Sequence, residues 1–408
     1  MTLARLTPPA GPPRLLALAQ LANSVGDGAY LVCSALYFTR IVGLPPEQVG
    51  LGLTVAWGLG SVAGVPLGHL ADRRGPRATA VVLALTTAAS VAGLLAARSF
   101  AAFLLAVCAY AVGQCGLAAA RQALLAALVR PEERTGLLAY LQSTLNAGLG
   151  AGAALGGLAL HAGTRTAYLA VLAVDVAGFL VCAAVLSRLP AVPPRPPVAA
   201  AEPAFAVLRD RRYALVTALN AILLLRMPLL SLVVPLWVVE HTSAPGWIVA
   251  ALLLLNTAAV TLCQVRAARA VTGLPSACRA VRRSGVLLLA SCAVFALSAY
   301  GGSAAVAAGV LLAAAALQVA GEMLQSAGSW QIAFDLAPPD RQGQYQGFFG
   351  AGTAAARTFG PALLTPLVLS GGTAGWLVLG ALFLAAAHTM GPATRLTRPR
   401  ALATDGRP

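Results

Sequence analysis

The chain has 408 residues, of which 59% are hydrophobic and only 10% are charged. A soluble protein of this size cannot cover its surface with so few charges, so the composition excludes a soluble class and favours a membrane protein. The formal net charge of +15 would suggest nucleic-acid binding in a soluble chain. In a membrane protein the positions of the arginines carry the information instead, and no nucleic-acid partner is expected.

Apolar segments long enough to cross a bilayer follow one another along the chain, which predicts an all-α membrane protein with twelve transmembrane helices. Gly and Pro interrupt several segments, and transmembrane helices tolerate this where neighbours satisfy the freed backbone groups. The lipid bilayer is therefore an expected partner. The segments lie at about residues 15–39, 48–67, 78–97, 100–125, 136–160, 166–187, 213–239, 246–268, 279–300, 302–330, 343–369 and 373–392.

Polar residues of the first segment recur every three or four positions and so share one helical face. They are Asn23, Asp27, Tyr30 and Ser34. Such a face cannot point at lipid, where an ionised side chain costs roughly 2.5–3.5 kcal/mol even on insertion scales. We therefore expect it to line a water-filled cavity, with Asp27 as proton carrier and Arg121 and Glu322 as candidate partners. The alternative is that Asp27 only caps a kink between its flanking glycines.

A short charged stretch at residues 68–77 separates the second and third segments and is predicted to form a hairpin loop. Its pattern, Gly-x-Leu-Ala-Asp-Arg-x-Gly-x-Arg, resembles the loop between the second and third helices of major facilitator superfamily transporters. Pro76 stands where that family usually has a basic residue. The resemblance implies two six-helix bundles that carry a small molecule by alternating access around a central cavity.

The same resemblance implies that this loop is a conformational latch between the two bundles. Its residues would be Gly68, Asp72, Arg73, Gly75 and Arg77. Asp72 is expected to face the start of the eleventh helix near residues 343–347, where the positive end of a helix dipole stabilises a carboxylate by about 0.3–1 kcal/mol.

The fourth and fifth segments carry further candidate cavity residues. Tyr110, Gln114 and Arg121 share one face of the fourth, and Asn146 lies on the fifth. The fifth also has closely spaced glycines, which are Gly148, Gly152, Gly156 and Gly157. Glycines at this density let a neighbouring helix approach closely. Their pattern also resembles the fifth-helix signature of superfamily antiporters, with Ala153 in place of Pro, and that resemblance implies export in exchange for protons.

A proline- and arginine-rich linker at 189–212 divides the chain into an N-terminal bundle, 1–188, and a C-terminal bundle, 213–394, followed by a tail, 395–408. The segments at 131–136 and 338–343 match in three identities, which favours parallel repeats. Most arginines fall on one side of the predicted spans, and the opposite loops hold only Arg40, Arg98 and Arg165. This asymmetry predicts an inner (plasma) membrane protein with both termini in the cytoplasm.

The tenth segment carries a second polar face with Gln318, Glu322, Gln325 and Ser329. Glu322 is the second candidate for proton coupling, or else a fixed ion-pair partner. Arg226 lies on a different face of the seventh segment from Asn220, and we expect it to flank a broken segment or to reach toward the interface. Asp175 and Arg357 are each expected to pair within the bundle.

The leading hypothesis is a monomeric secondary transporter that exports a small amphiphilic or drug-like molecule in exchange for protons. Proton-coupled uptake of a metabolite is the alternative, and a transport-dead sensor or scaffold is the alternative of another class. A membrane-embedded enzyme is disfavoured because no paired carboxylates or Asp/His cluster appear. ATP drive is disfavoured because no phosphate-binding loop is present. No cofactor and no metal are expected.

Overall fold

The computed structural model describes residues 10–193 and 205–396, and these residues form helices, turns and connections without a β-strand. The helices are α1 (Pro12–Leu36), α2 (Pro46–Arg74), α3 (Pro76–Ala96), α4 (Phe100–Leu128), α5 (Pro131–Ala162), α6 (Arg165–Ser187), α7 (Arg211–His241), α8 (Trp247–Ala268), α9 (Leu274–Leu297), α10 (Ala304–Leu336), α11 (Gln342–Thr365) and α12 (Gly372–Leu396). The expected tail, 395–408, lies almost wholly outside the described residues.

Nine helices of the described ranges are long and apolar enough to cross a membrane by length and composition. They are α2, α3, α4, α6, α7, α8, α9, α10 and α12. The other three, α1, α5 and α11, also exceed twenty residues, but polar side chains or glycines lower their hydropathy. These three helices carry the first polar stripe, the glycine run and the Gln-rich stretch 342–346.

The helices form two groups, each with its own apolar core. In the first half, α1 packs on α5 and α6, and α3 packs on α4 and α6. In the second half, α9 packs on α10 and α12, and α7 packs on α11 and α12. The halves meet mainly along α2–α11, α5–α8 and α4–α11. Neither α1 nor α7 packs extensively on the opposite half.

Glycines bring α2 and α11 into backbone contact. A methyl group on Gly68 would overlap the carbonyl group of Gly343, and one on Gly347 would overlap that of Gly64. Two pairs of glycines one turn apart therefore let the helices touch along their backbones. This is the closest approach between the two halves.

The predicted hairpin loop at 68–77 is wrong in its extent. Helix α2 runs on through Arg74 and α3 begins at Pro76, so Gly75 is the only residue between them. Gly75 has a φ of 95°, which a residue with a side chain rarely adopts. Proline at the first position of α3 needs no N–H partner. Asp72 consequently lies in the rigid last turn of α2 and not in a flexible loop.

The linker predicted at 189–212 ends before residue 212 in the structure. A 3₁₀ turn at Ala206–Arg209 leads into α7, whose first residue is Arg211. Asp210 caps that helix, since its side chain accepts hydrogen bonds from the backbone N–H groups of Arg212 and Tyr213. The proline-rich part at 194–204 lies outside the described residues.

Candidate functional site: two polar networks between the halves

The Asp27 carboxylate on α1 is the centre of a hydrogen-bond network that joins α1 to α4. It accepts hydrogen bonds from the Tyr110 hydroxyl at 3.1 Å and from Gln114 Nε2 at 2.7 Å. Asn23, one turn before it on α1, donates to its other oxygen. The predicted partners Arg121 and Glu322 are not hydrogen-bonded to it. Asp27 is thus held by neutral donors rather than capping a kink.

Two arginines contribute to the electrostatic field at Asp27 from different helices. Arg121 lies on α4 of the same half, and Arg357 lies on α11 of the opposite half. Among the described residues neither forms an ion pair, and the Nη1 atom of Arg121 is buried without a hydrogen-bond partner. The Arg357 side chain is exposed, and its charge acts on Cys115 and Asp27 across the contact of α4 with α11. The expected pairing of Arg357 is not found.

Asp175 on α6 differs from the expectation that it pairs structurally. Its side chain is fully buried against Gly26, and neither carboxyl oxygen has a hydrogen-bond partner in the described structure. An ionised carboxylate enclosed in this way would have nothing to offset its lost hydration. We therefore treat Asp175 as an uncharged acid beside Asp27.

A second network joins α7 to α10 through Arg226, which lies at the predicted break in α7. This buried arginine forms an ion pair with Glu322, Nη1 to Oε1 at 2.9 Å, and donates two hydrogen bonds to Gln325 Oε1 at 3.0 and 2.8 Å. Gln325 in turn donates to Asn220 Oδ1 at 2.8 Å. Arg226 and Asn220 therefore meet through Gln325 although they lie on different faces of α7.

Glu322 has the geometry of the fixed ion-pair partner that the sequence left open. Besides Arg226, its carboxylate accepts a hydrogen bond from Asn256 on α8 at 3.2 Å. Its side chain is 20% exposed, so it is in contact with solvent. Glu322 therefore neutralises the charge of Arg226 within the second half. Arg121 and Arg357, near Asp27, have no such ion pair among the described residues.

We expect Glu322→Gln to destabilise the protein more than Arg226→Gln does. Removing one member of a buried ion pair costs roughly 3–5 kcal/mol because the other charge is left without a partner. Glu322→Gln leaves the buried Arg226 in that position, whereas Arg226→Gln leaves Glu322, whose 20% exposure reduces the figure. The double variant should recover part of the loss. Thermal unfolding of the purified single and double variants measures the coupling, and strictly additive losses would contradict the ion pair.

The remaining predicted cavity residues differ in their surroundings. The Tyr30 ring packs against Tyr110 with centroids 5.1 Å apart. Gln318 is buried and donates a long hydrogen bond to the Arg226 carbonyl at 3.4 Å, while its own Oε1 has no partner in the described residues. Asn146 on α5 is half-buried. Tyr30 is therefore part of the Asp27 network in the first half, and Gln318 is part of the Arg226 network in the second half. Asn146 belongs to neither network.

Asp72 contacts the opposite half at the position expected for it. Its two oxygens accept hydrogen bonds from the backbone N–H groups of Gly343 at 2.8 Å and Gln344 at 2.9 Å. These N–H groups open α11 and have no partner within the helix. Arg77 instead donates to the Leu189 carbonyl at 2.8 Å, within the first half. Arg73 is exposed. Of the five predicted latch residues, Gly68 and Asp72 therefore contact α11.

Three of the four predicted glycines of α5 face α1. Side chains at these positions would overlap α1, where Gly148 meets Ser24, Gly152 meets the backbone of Val25 and Ala29, and Gly156 meets the Val32 side chain and the Ala29 carbonyl group. A methyl group on Gly157 would meet nothing within 4 Å. Close packing with the helix that carries Asp27 therefore accounts for Gly148, Gly152 and Gly156, and not for Gly157.

We expect Gly152→Ala to destabilise the protein while Gly157→Ala does not. The added methyl group at 152 would overlap the Val25 carbonyl oxygen, and overpacking of this kind costs about 1–3 kcal/mol. At 157 it enters open space and also favours the helix. Thermal unfolding of the two purified variants tests this, and equal midpoints would contradict the packing.

Apolar helices arranged in two groups, each with a polar network of its own, are typical of multi-pass membrane transporters. The sequence matches the family profile described as Major Facilitator Superfamily over residues 16–361, and the chain belongs to this family. Its members transport small molecules across membranes and are generally not enzymes. No curated protein sequence is similar enough to count as a match.

Solved structures of transporters share the fold at low sequence identity. A bacterial homologue of the iron transporter ferroportin, in the outward-facing state, superposes with a TM-score of 0.74 at 16% identity, over 94% of this chain and 98% of that one. The human organic anion transporter MFSD10 gives 0.69 at 19%, over 96% and 100%. The Escherichia coli fucose:proton symporter FucP gives 0.70 at 14%, over 95% and 98%. Identities this low establish the fold alone.

Proposed function

We propose that the protein is a proton-coupled secondary transporter in which Asp27 carries the proton. Its twelve helices would cross the bilayer as two six-helix halves that alternate around a central cavity. The observation that carries the proposal is the Asp27 carboxylate, which is held by neutral donors of α4 while Arg357, on α11 of the other half, contributes to its electrostatic field. A movement of the halves changes the distance between these two charges and with it the proton affinity.

The arginine distribution supports an orientation in which the α2–α11 contact lies on the cytoplasmic side. The structure would then represent a state closed toward the cytoplasm, with Asp72 and the start of α11 as the latch. Two charge-assisted hydrogen bonds, each worth roughly 1.5–3 kcal/mol, are strong enough to favour this state. They are also weak enough to break during each transport cycle.

The substrate and direction form the finer part of the proposal. Export of a small amphiphilic or drug-like molecule in exchange for protons is favoured by the α5 resemblance, although packing on α1 accounts for three of its four glycines. Uptake together with protons is the second candidate, and the unpaired arginines near Asp27 favour it. The relatives differ in what they carry, namely organic anions, iron and fucose, so the fold leaves this choice open.

Inverted membrane vesicles separate the two directions. With an acidic lumen, exchange for protons predicts that the vesicles accumulate ethidium. Cotransport with protons predicts instead that preloaded benzenesulfonate leaves the vesicles faster. Benzenesulfonate is a permanently charged anion that does not cross lipid readily. Vesicles without the protein and vesicles treated with a protonophore are the controls. If neither probe responds to the proton gradient, the proposal of proton coupling is wrong, and a sensor or scaffold is favoured.

A further inference from the structure

The charges of the two networks do not balance. Three carboxyl groups and three arginines lie in or beside them, which are Asp27, Asp175, Glu322, Arg121, Arg226 and Arg357. Arg226 and Glu322 neutralise each other at 2.9 Å. Asp175 is enclosed without a hydrogen-bond partner in the described residues and is treated as uncharged. One carboxylate, Asp27, therefore remains for two arginines.

Both of these arginines are free to bind a ligand. The Nη1 atom of Arg121 is buried without a partner, and a buried guanidinium N–H group left unpaired costs free energy. Arg357 is exposed and lies on α11 of the opposite half, which packs on α4, and its charge acts on Asp27. Guanidinium groups bind carboxylate, sulfonate or phosphate oxygens through paired hydrogen bonds.

We infer that the cavity binds a small organic anion, whose acidic group interacts with Arg357 and Arg121. This inference rests on the proposed function, because it names the substrate class of the same site. An anion would supply the negative charge that the structure lacks. A cation would instead face two arginines and could interact favourably with Asp27 alone.

The same arrangement links anion binding to the proton. The titratable groups around Asp27 are Tyr30 on its own helix, Tyr110 and Arg121 on α4, Asp175 on α6 and Arg357 on α11. When Asp27 is protonated, both arginines lose their internal counter-charge and become available to the anion. Proton binding at Asp27 therefore strengthens anion binding, and by linkage anion binding must strengthen proton binding by the same factor. The two would move in the same direction, which selects cotransport over exchange.

Three compounds of similar size and different charge test the inference. Benzenesulfonate, benzenesulfonamide and phenyltrimethylammonium share one ring and are anionic, neutral and cationic. Their binding to the purified protein is measured by the shift of its thermal unfolding midpoint over a concentration series. We expect benzenesulfonate to bind at least about tenfold more tightly than the other two, the equivalent of one charge-assisted hydrogen bond. Lowering the pH should strengthen its binding.

Variants identify the groups responsible. Arg357→Gln and Arg121→Gln should each weaken benzenesulfonate binding by about tenfold, and Arg357→Lys should retain part of it. Arg165→Gln, at an exposed arginine at the start of α6, is the matched control and should bind as the wild type does. Tighter binding of phenyltrimethylammonium, no binding of any compound, or an unchanged Arg357→Gln variant would overturn the inference.

The outcomes also separate this inference from the proposed function. Arginine-dependent anion binding without any pH dependence would support the substrate class and contradict proton coupling through Asp27. Cation binding that protons weaken, and that Asp27→Asn abolishes, would contradict the anion and leave the proton-coupled function intact.

Discussion

Asp27→Asn is expected to abolish the response to a proton gradient while the protein remains folded. Asparagine has nearly the same shape as aspartate, and its side-chain oxygen can still accept the hydrogen bonds of Tyr110 and Gln114. It cannot gain or lose a proton in the working pH range. Transport in inverted vesicles should therefore become independent of the gradient, with passive exchange of substrate retained.

Infrared spectroscopy of the purified protein reports the same change without a substrate. The wild type should show a protonated-carboxyl band that varies with pH, and the Asp27→Asn spectrum should lack this variation. Glu47→Gln is the matched control, because Glu47 is exposed at the start of α2. A pH-dependent carboxyl band that persists in Asp27→Asn, together with gradient-driven transport, would assign the proton to another residue.

Gly68→Ala is expected to prevent the close approach of α2 and α11. The added methyl group would overlap the Gly343 carbonyl group, and backbone atoms can yield only if the two helices separate. The hydrogen bonds from Gly343 and Gln344 to Asp72 would then be lost. A loss of about 1.5–3 kcal/mol, the equivalent of one of these bonds, lowers the ratio of closed to open states roughly 10- to 150-fold. Each half keeps its own core, so the protein should not unfold.

Hydrogen–deuterium exchange of a peptide covering residues 341–350 measures this opening. Gly68→Ala should exchange faster there than the wild type, and transport should fall with it. Gly58→Ala is the control on the same helix, since a methyl group at Gly58 meets nothing within 4 Å. Wild-type protection in Gly68→Ala would show that the contact does not hold the halves together.

Much of the fold could be predicted from the sequence because membrane-spanning helices are recognisable by their length and hydropathy. Every predicted span overlaps a helix, including those of α1 and α11, whose polar residues lower their hydropathy. Boundaries were less predictable. Helix α2 extends through its charged end to Arg74, because a helix that leaves the membrane can continue in water.

The partners of the charged residues could not be predicted, because periodicity places side chains on faces of one helix only. The sequence put Asp27, Arg121 and Glu322 in one group, whereas the structure separates Glu322 from Asp27. Arg226 lies at the predicted break in α7, but its partner Glu322 lies on α10, which periodicity within one helix cannot indicate. Asn256 is a further partner of Glu322. It is an isolated polar residue in an apolar segment, so no periodic pattern indicates its role.

We propose that the charge of Asp27 controls the conformation of the two halves, because Arg357 on α11 contributes to the electrostatic field at Asp27 and protonation of Asp27 removes this interaction. The direct test is deuterium uptake at residues 341–350 as a function of pH, corrected for intrinsic exchange rates. Wild type should take up more deuterium at low pH, and Asp27→Asn should show high uptake at every pH. Uptake in the wild type that does not change with pH would contradict the account.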